Sequence, residues 1–485
     1  MKGKSTVLLA AMLLGCAGSA GAAQSLEQIR YALYKDPNAD VVADLRALAE
    51  RGDLASRLLL GDRLAAGDAA NGEEALALYK EAFADGRGEV LALSSMSRLL
   101  ERNPRMRKAN ADYVREALGR FPHTRDPRTL DAALEVFLVF PEYFQEVRVA
   151  ELIGLYESSC LEFCRPQLYK AVFAERQGRR EEAERWYREA VFVDTRAVVR
   201  YYDFLGSERQ DTAFPAFART LFDQKDRLPV EAVHRIGTLL DSIYSTQSGL
   251  IAIENRALRE ADAGLEGEAK AQADAAETAR EEAQARQLAE TNAEVRAWLD
   301  NAIERNWVPA MVSKVNNMTS SPQDFTSDEA LALVERVAQT DPLRAKALMA
   351  SVLMVTNWLT LDPEKAHALI QELIAANYQE AQLLLGDLYS RGGLDEPDLD
   401  KALAIFHEQA LKGSPSAYYR IASLYNFGRA ICHDKAKAHA YAEAARGLGE
   451  FRANGLLKRL EKEMSSEELQ RALVARDEIY KEYRL

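Results

Sequence analysis

None of the signatures of phosphate binding or hydrolysis occurs in this chain: there is no Gly-rich phosphate loop, no G-x-S-x-G elbow and no H-E-x-x-H. Enzyme activity is therefore unsupported, no catalytic, cofactor-binding or metal residue is assigned, and no cofactor is implied. A basic stripe with interleaved aromatics is also missing. The net charge of −13 disfavours nonspecific nucleic-acid binding and repels an anionic polymer on average. Beyond the first 25 residues no stretch is long and apolar enough to span a bilayer. Proline is sparse, with 14 residues, while 48% of residues are hydrophobic, enough to bury a core.

What the chain does have is a period. Asp362, Asp398 and Asp434 are spaced by 36 residues, as are the pairs Lys365-Ala366, Lys401-Ala402 and Lys437-Ala438. Ala345, Ala381, Ala417 and Ala453 keep the same step, and so do Tyr389 with Tyr425 and Gly413 with Gly449. A fixed period in this range, with helical composition and no strand pattern, indicates an all-α solenoid of stacked helix hairpins. Such an array grows without one large core, which suits a chain of 485 residues.

The period reads physically. Ala381, Gly386 and Tyr389 fall close to one helical face, where small side chains let helices approach to about 8–10 Å and the tyrosine fills the gap. Asp398 suits the N-cap of a second helix, because its carboxylate can accept from the exposed amides of the first turn. At Asp362 the signal is reinforced by Pro363 at the first helical position and Glu364 in the first turn. Ala402, Ile405, Phe406 and Ala410 form the apolar stripe of that helix. Gly413 supplies the left-handed residue that ends it, a role Asn377 takes one unit earlier.

Near the N-terminus, LLLGDRL (58–64) matches LLLGDLY (383–389). EALALYKEAFADG (74–86) matches the second helix, with Asn71 at the cap position. GRREEAERWYREA (178–190) is a looser copy. The landmarks resemble Sel1-like repeats, relatives of the tetratricopeptide repeat, most specifically over 345–452. That resemblance implies a right-handed solenoid that binds partner proteins.

The first residues carry an address. Lys2 and Lys4 form a basic segment and Val7 to Leu14 a short apolar one, together a secretory signal. Leu13-Leu14-Gly15-Cys16 resembles a bacterial lipobox, which implies cleavage before Cys16 and its acylation. Three acyl chains would exceed what stable membrane attachment needs. Ala17 after the cysteine implies, by resemblance to lipoprotein sorting, the periplasmic face of the outer membrane. Cleavage after Ala22 or Ala23, giving a soluble periplasmic chain, stays open.

Cys160 and Cys164 can reach disulfide distance across one turn, or remain two semi-buried thiols. Cys432 is then left unpaired. Cys432, His433 and His439 crowd together, but register argues against a metal. His439 and His367 occupy the place of Leu403 after the Lys-Ala pair, an exposed or half-buried position. Trp186-Tyr187 falls on a second-helix stripe and reads as core rather than a carbohydrate platform. Trp298 and Trp307 are ambiguous, and Trp358 completes the set.

Residues 255–297 are rich in Ala, Glu, Arg and Gln, without proline, and too poor in large apolar residues for a sustained heptad seam. They should form a long polar helix or helical hairpin with little burial: a spacer, a partner-binding arm or a poorly ordered insertion. The organisation expected is a signal (1–15), an N-terminal repeat region (16–254), the charged segment (255–297) and a C-terminal repeat region (298–485). TSSPQDFTSDE (319–329) reads as a loop ending in a helix cap.

A lipobox ahead of an almost wholly helical Sel1-like array resembles the scaffold lipoproteins of alginate biosynthesis. That resemblance implies partners: an outer-membrane β-barrel exporter and periplasmic polysaccharide-modifying proteins. The charged segment departs from the family pattern. Two other functions stay open, a secreted Sel1-repeat enzyme or inhibitor acting on cell-wall material, and a periplasmic regulator of a membrane sensor.

Overall fold

The computed structural model describes residues 24–35, 39, 41–65, 69–86, 89–118, 125–159, 164–391, 394, 396–427 and 433–483. Among these residues there are 24 α-helices and no strand. The helices pair with their sequence neighbours, so the chain is an all-α array of stacked hairpins.

The periodic residues do the same work in each unit. In the C-terminal region the hairpins are Pro342–Val352 with Pro363–Ala375, Ala381–Ser390 with Leu399–Leu411, and Pro415–Phe427 with Lys435–Gly447. Asp362, Asp398 and Asp434 cap the second helices by accepting from the backbone N–H of Lys365, Lys401 and Lys437 at 3.0, 3.0 and 3.1 Å. The backbone N–H of each Asp also donates back to the first helix, to the carbonyls of Leu353, Tyr389 and Tyr425 at 2.9, 3.0 and 3.1 Å. One residue thus starts a helix and closes the hairpin. Asn377, Gly413 and Gly449 end the second helices at φ of 53°, 85° and 92°, the left-handed region expected of them. Asp398→Ala is expected to cost about 1 kcal/mol in urea unfolding, and Asp398→Asn far less, because the amide oxygen still accepts.

Packing explains the small residues. A Cβ on Gly386 would lie 2.3 Å from the Phe406 ring, and one on Gly61 would lie 2.6 Å from the Tyr79 ring. The same Gly-under-aromatic crossing therefore recurs in both regions. The helix Ala69–Ala84 begins ahead of Asn71, which falls in its first turn and not at the expected cap. Thr326 and Glu329 form the capping box that restarts the helices after the 319–329 loop, although the preceding helix runs on through Ser320.

The charged segment is helical. Helices Val230–Asp262 and Gly267–Glu304 form an antiparallel hairpin whose base is buried in the array and whose far half is mostly exposed. At 33 residues the first helix is about 50 Å long. Its seam is polar: Asn255 Nδ2 donates to Gln284 Oε1 at 2.9 Å, and Arg259 Nε lies 3.4 Å from Glu277 Oε1.

A contact that the period does not foretell turns the array back on itself. Helix Arg452–Glu463 lies against Val230–Asp262. Lys458 Nζ lies 2.8 Å from Asp211 Oδ2, across 247 residues of sequence. Tyr202 and Phe451 meet edge to face with centroids 5.6 Å apart.

Candidate functional site

The hairpin geometry sets up an edge. Each connection between first and second helix is tied at both ends, by the Asp amide to the carbonyl and by the Asp carboxylate to the next turn. Some side chains between those ties turn inward and others outward. In the first C-terminal unit, Trp358 is buried and its Nε1–H donates to Pro322 O at 3.2 Å, which leaves Leu359 fully exposed at 105%. The next connection exposes Leu394 (43%), and the first helix of the following unit ends on exposed Phe427 (70%). Three successive units therefore present a large apolar side chain on the same loop edge. Singly such residues need no explanation, but one in each of three successive units is the geometry of a docking edge.

The lysines after the capping aspartates lie beside the tyrosines of the first helices. Lys401 Nζ lies 5.3 Å from the Tyr389 ring centroid, and Lys437 Nζ keeps the same 5.3 Å from Tyr425 one unit later. The Asp398 carboxyl is held below its usual range by hydrogen bonds from the Lys401 side chain and backbone. Loops carrying apolar tips suit contact with another protein surface.

Of the residues singled out in the sequence, Cys16, Cys160 and Cys432 lie outside the described residues. Cys164 is disulfide-bonded, with its Sγ 3.2 Å from the Tyr156 carbonyl oxygen. The expectation for His439 needs correction. It is buried, at 8% exposure, because Arg452–Glu463 and Ser466–Tyr483 both pack on its helix, whereas His367 is half-buried. His439 Nε2 lies 3.4 Å from Glu461 Oε1, and Glu443 brings a carboxylate oxygen within 4.8 Å of both. Both Glu443 oxygens, however, accept from Arg446 Nη2 at 2.7 Å, so one of the three groups is already committed to an arginine. Tyr187 takes the core position of its pair. Trp186 sits half-buried at the rim, with Lys170 Nζ 4.5 Å from its ring centroid. Trp298 is fully buried edge-on to Phe222 at 5.4 Å, and Trp307 is half-buried.

His234 marks the base of the projecting hairpin. Its Nε2 lies 2.9 Å from Ser313 Oγ, and burial, helped by the Arg235 charge, lowers its pKa from 6.5 to about 4. Above pH 6.5 the ring is neutral in both folded and unfolded chains. As pH falls from 6.5 towards 4, the unfolded chain takes up a proton that the folded ring refuses, so stability falls with acid. Allowing for the ring's partial exposure, the expected loss is about 1–2 kcal/mol. His234→Gln should flatten that slope in urea titrations taken across this window.

The signal that could have found the turned-back contact is glycine inside helices. A Cβ on Gly455 would lie 2.3 Å from Thr246 Oγ1, and one on Gly249 would lie 2.5 Å from Arg459 Cδ. Isolated helical glycines mark close approach, but sequence alone does not name the partner.

No protein-family model matches the chain, and no curated protein matches it. Among solved structures it is similar to a protective antigen of uropathogenic Escherichia coli displaying an SLR fold, at 14% identity and a TM-score of 0.24, covering 91% of this chain and 95% of that one. A putative sel1 repeat protein from Klebsiella pneumoniae subsp. pneumoniae is 20% identical with a TM-score of 0.24, covering 36% of this chain and 90% of that one. A Sel1 repeat protein from Oxalobacter formigenes is 20% identical with a TM-score of 0.22, covering 38% and 79% respectively.

Proposed function

We propose that the chain is a non-catalytic scaffold that docks partner proteins along the loop edge of its hairpin array. The row formed by Leu359, Leu394 and Phe427 carries this reading, because it repeats with the units and is left open by the fold. The periodic residues that face inward serve capping and packing, so the outward-facing tips are what the array offers to others.

The finer proposal follows the likeness to the alginate-biosynthesis lipoprotein AlgK. The chain would be acylated at Cys16, held at the periplasmic face of the outer membrane, and stationed beside a β-barrel exporter and polysaccharide-modifying proteins. The lipid would fix one end of the array while later units present the docking edge. Affinity capture from crosslinked cell envelopes tests this directly. The barrel exporter should co-purify with the wild type, and Leu359→Ser with Phe427→Ser should reduce its recovery by about tenfold, since apolar anchors dominate such interfaces. Cys16→Ser should abolish acyl labelling and release the chain from membranes. Recovery of cell-wall fragments or a sensor protein without any barrel would overturn the export reading.

A further inference from the structure

We propose that the contact between helix Arg452–Glu463 and the 202–256 region is an ionic clasp that holds the array in a closed turn and releases as a unit. The buried apolar residues divide into three clusters, Ile29 to Trp358, Ala347 to Leu388, and Leu383 to Tyr483. Successive clusters interleave along the chain. Across the clasp, Phe451 is the half-buried side chain that packs against the first cluster.

Charge joins the close glycine packing across this contact. Besides Lys458 with Asp211, Lys462 Nζ lies 3.1 Å from Glu254 Oε1, and Arg256 Nη2 lies 3.5 Å from Glu463 Oε1. Lys458 and Lys462 meet acids on the other side while Glu463 meets a base, so the two surfaces are complementary in one register. Except for Glu463, these last two pairs are half-exposed or more, where salt screens them strongly. Polar interfaces of this kind permit relative motion of the bodies they join. The short middle cluster between the two large ones is where the array would flex. Two of the three pairs lie on the outer half of the first helix of the projecting hairpin, so the clasp also ties the last units to that arm.

Small-angle scattering on the full chain at about 0.05 M and about 1 M NaCl, with helicity followed in parallel, tests the clasp. The radius of gyration should rise at high salt with helicity unchanged. Lys458→Glu should give the expanded form already at low salt, and Asp211→Lys combined with Lys458→Glu should restore the compact one. A radius that ignores both salt and Lys458→Glu would overturn the proposal. So would an expansion that the charge swap fails to reverse, or a loss of helicity on Lys458→Glu, which would make the contact part of the folding core.

Discussion

Phe406→Ala lowers the unfolding free energy by about 3–5 kcal/mol, the cost of removing a fully buried ring from a close-packed site. Phe406 lies at the crossing of two helices of one unit, directly over the Gly386 backbone. Gly386→Ala is expected to cost about 1–3 kcal/mol by overpacking, since its Cβ would meet a ring held by neighbours on all sides. The pair is not additive. Once Phe406 is Ala, the space opens and Gly386→Ala should become neutral or stabilising by up to about 1 kcal/mol, because Ala is the better helix former. A urea-denaturation cycle over the four proteins reads this coupling. Additive effects would show that the glycine is not there for the ring.

Gly455→Leu has the second large effect, and it acts on shape as well as stability. Thr246, which its side chain would strike, is buried and donates from Oγ1 to the Ser242 carbonyl at 2.7 Å, so it has nowhere to turn. The helix Arg452–Glu463 must lift away, with a loss of about 1–3 kcal/mol and an expanded particle in gel filtration. Gly154→Ala is the control. Its Cβ would meet nothing within 4 Å, so it should stabilise by about 0.5–1 kcal/mol without changing size. An unexpanded Gly455→Leu protein would mean that the two helices do not touch in solution.

The period made the units legible and left their assembly hidden, for a physical reason. Caps and C-terminal glycines are local devices: Asp398 acts three residues away, and Gly413 acts on its own backbone. Their chemistry is visible in a short window. Burial of His439 was misjudged because it depends in part on the helix Ser466–Tyr483, which follows the last periodic landmark and which no register describes. The start of helix Ala69–Ala84 was missed because Asn71, a residue type that suits a cap, falls inside the first turn instead. The loop-edge row was invisible because Leu359, Leu394 and Phe427 occupy different offsets within their units, although the hairpins bring them to one edge. The closing contact lay furthest from view, since Lys458 and Asp211 meet only through the summed rotation of every unit between them.

Zero-length carbodiimide cross-linking of the wild-type protein, at low concentration and low salt, tests most directly whether the hairpins wind into this closed array. Lys458 should couple to Asp211 and Lys462 to Glu254 within one chain, alongside pairs between adjacent helices such as Lys346 with Glu372. Recovery of the adjacent pairs with neither long-range link would contradict the account.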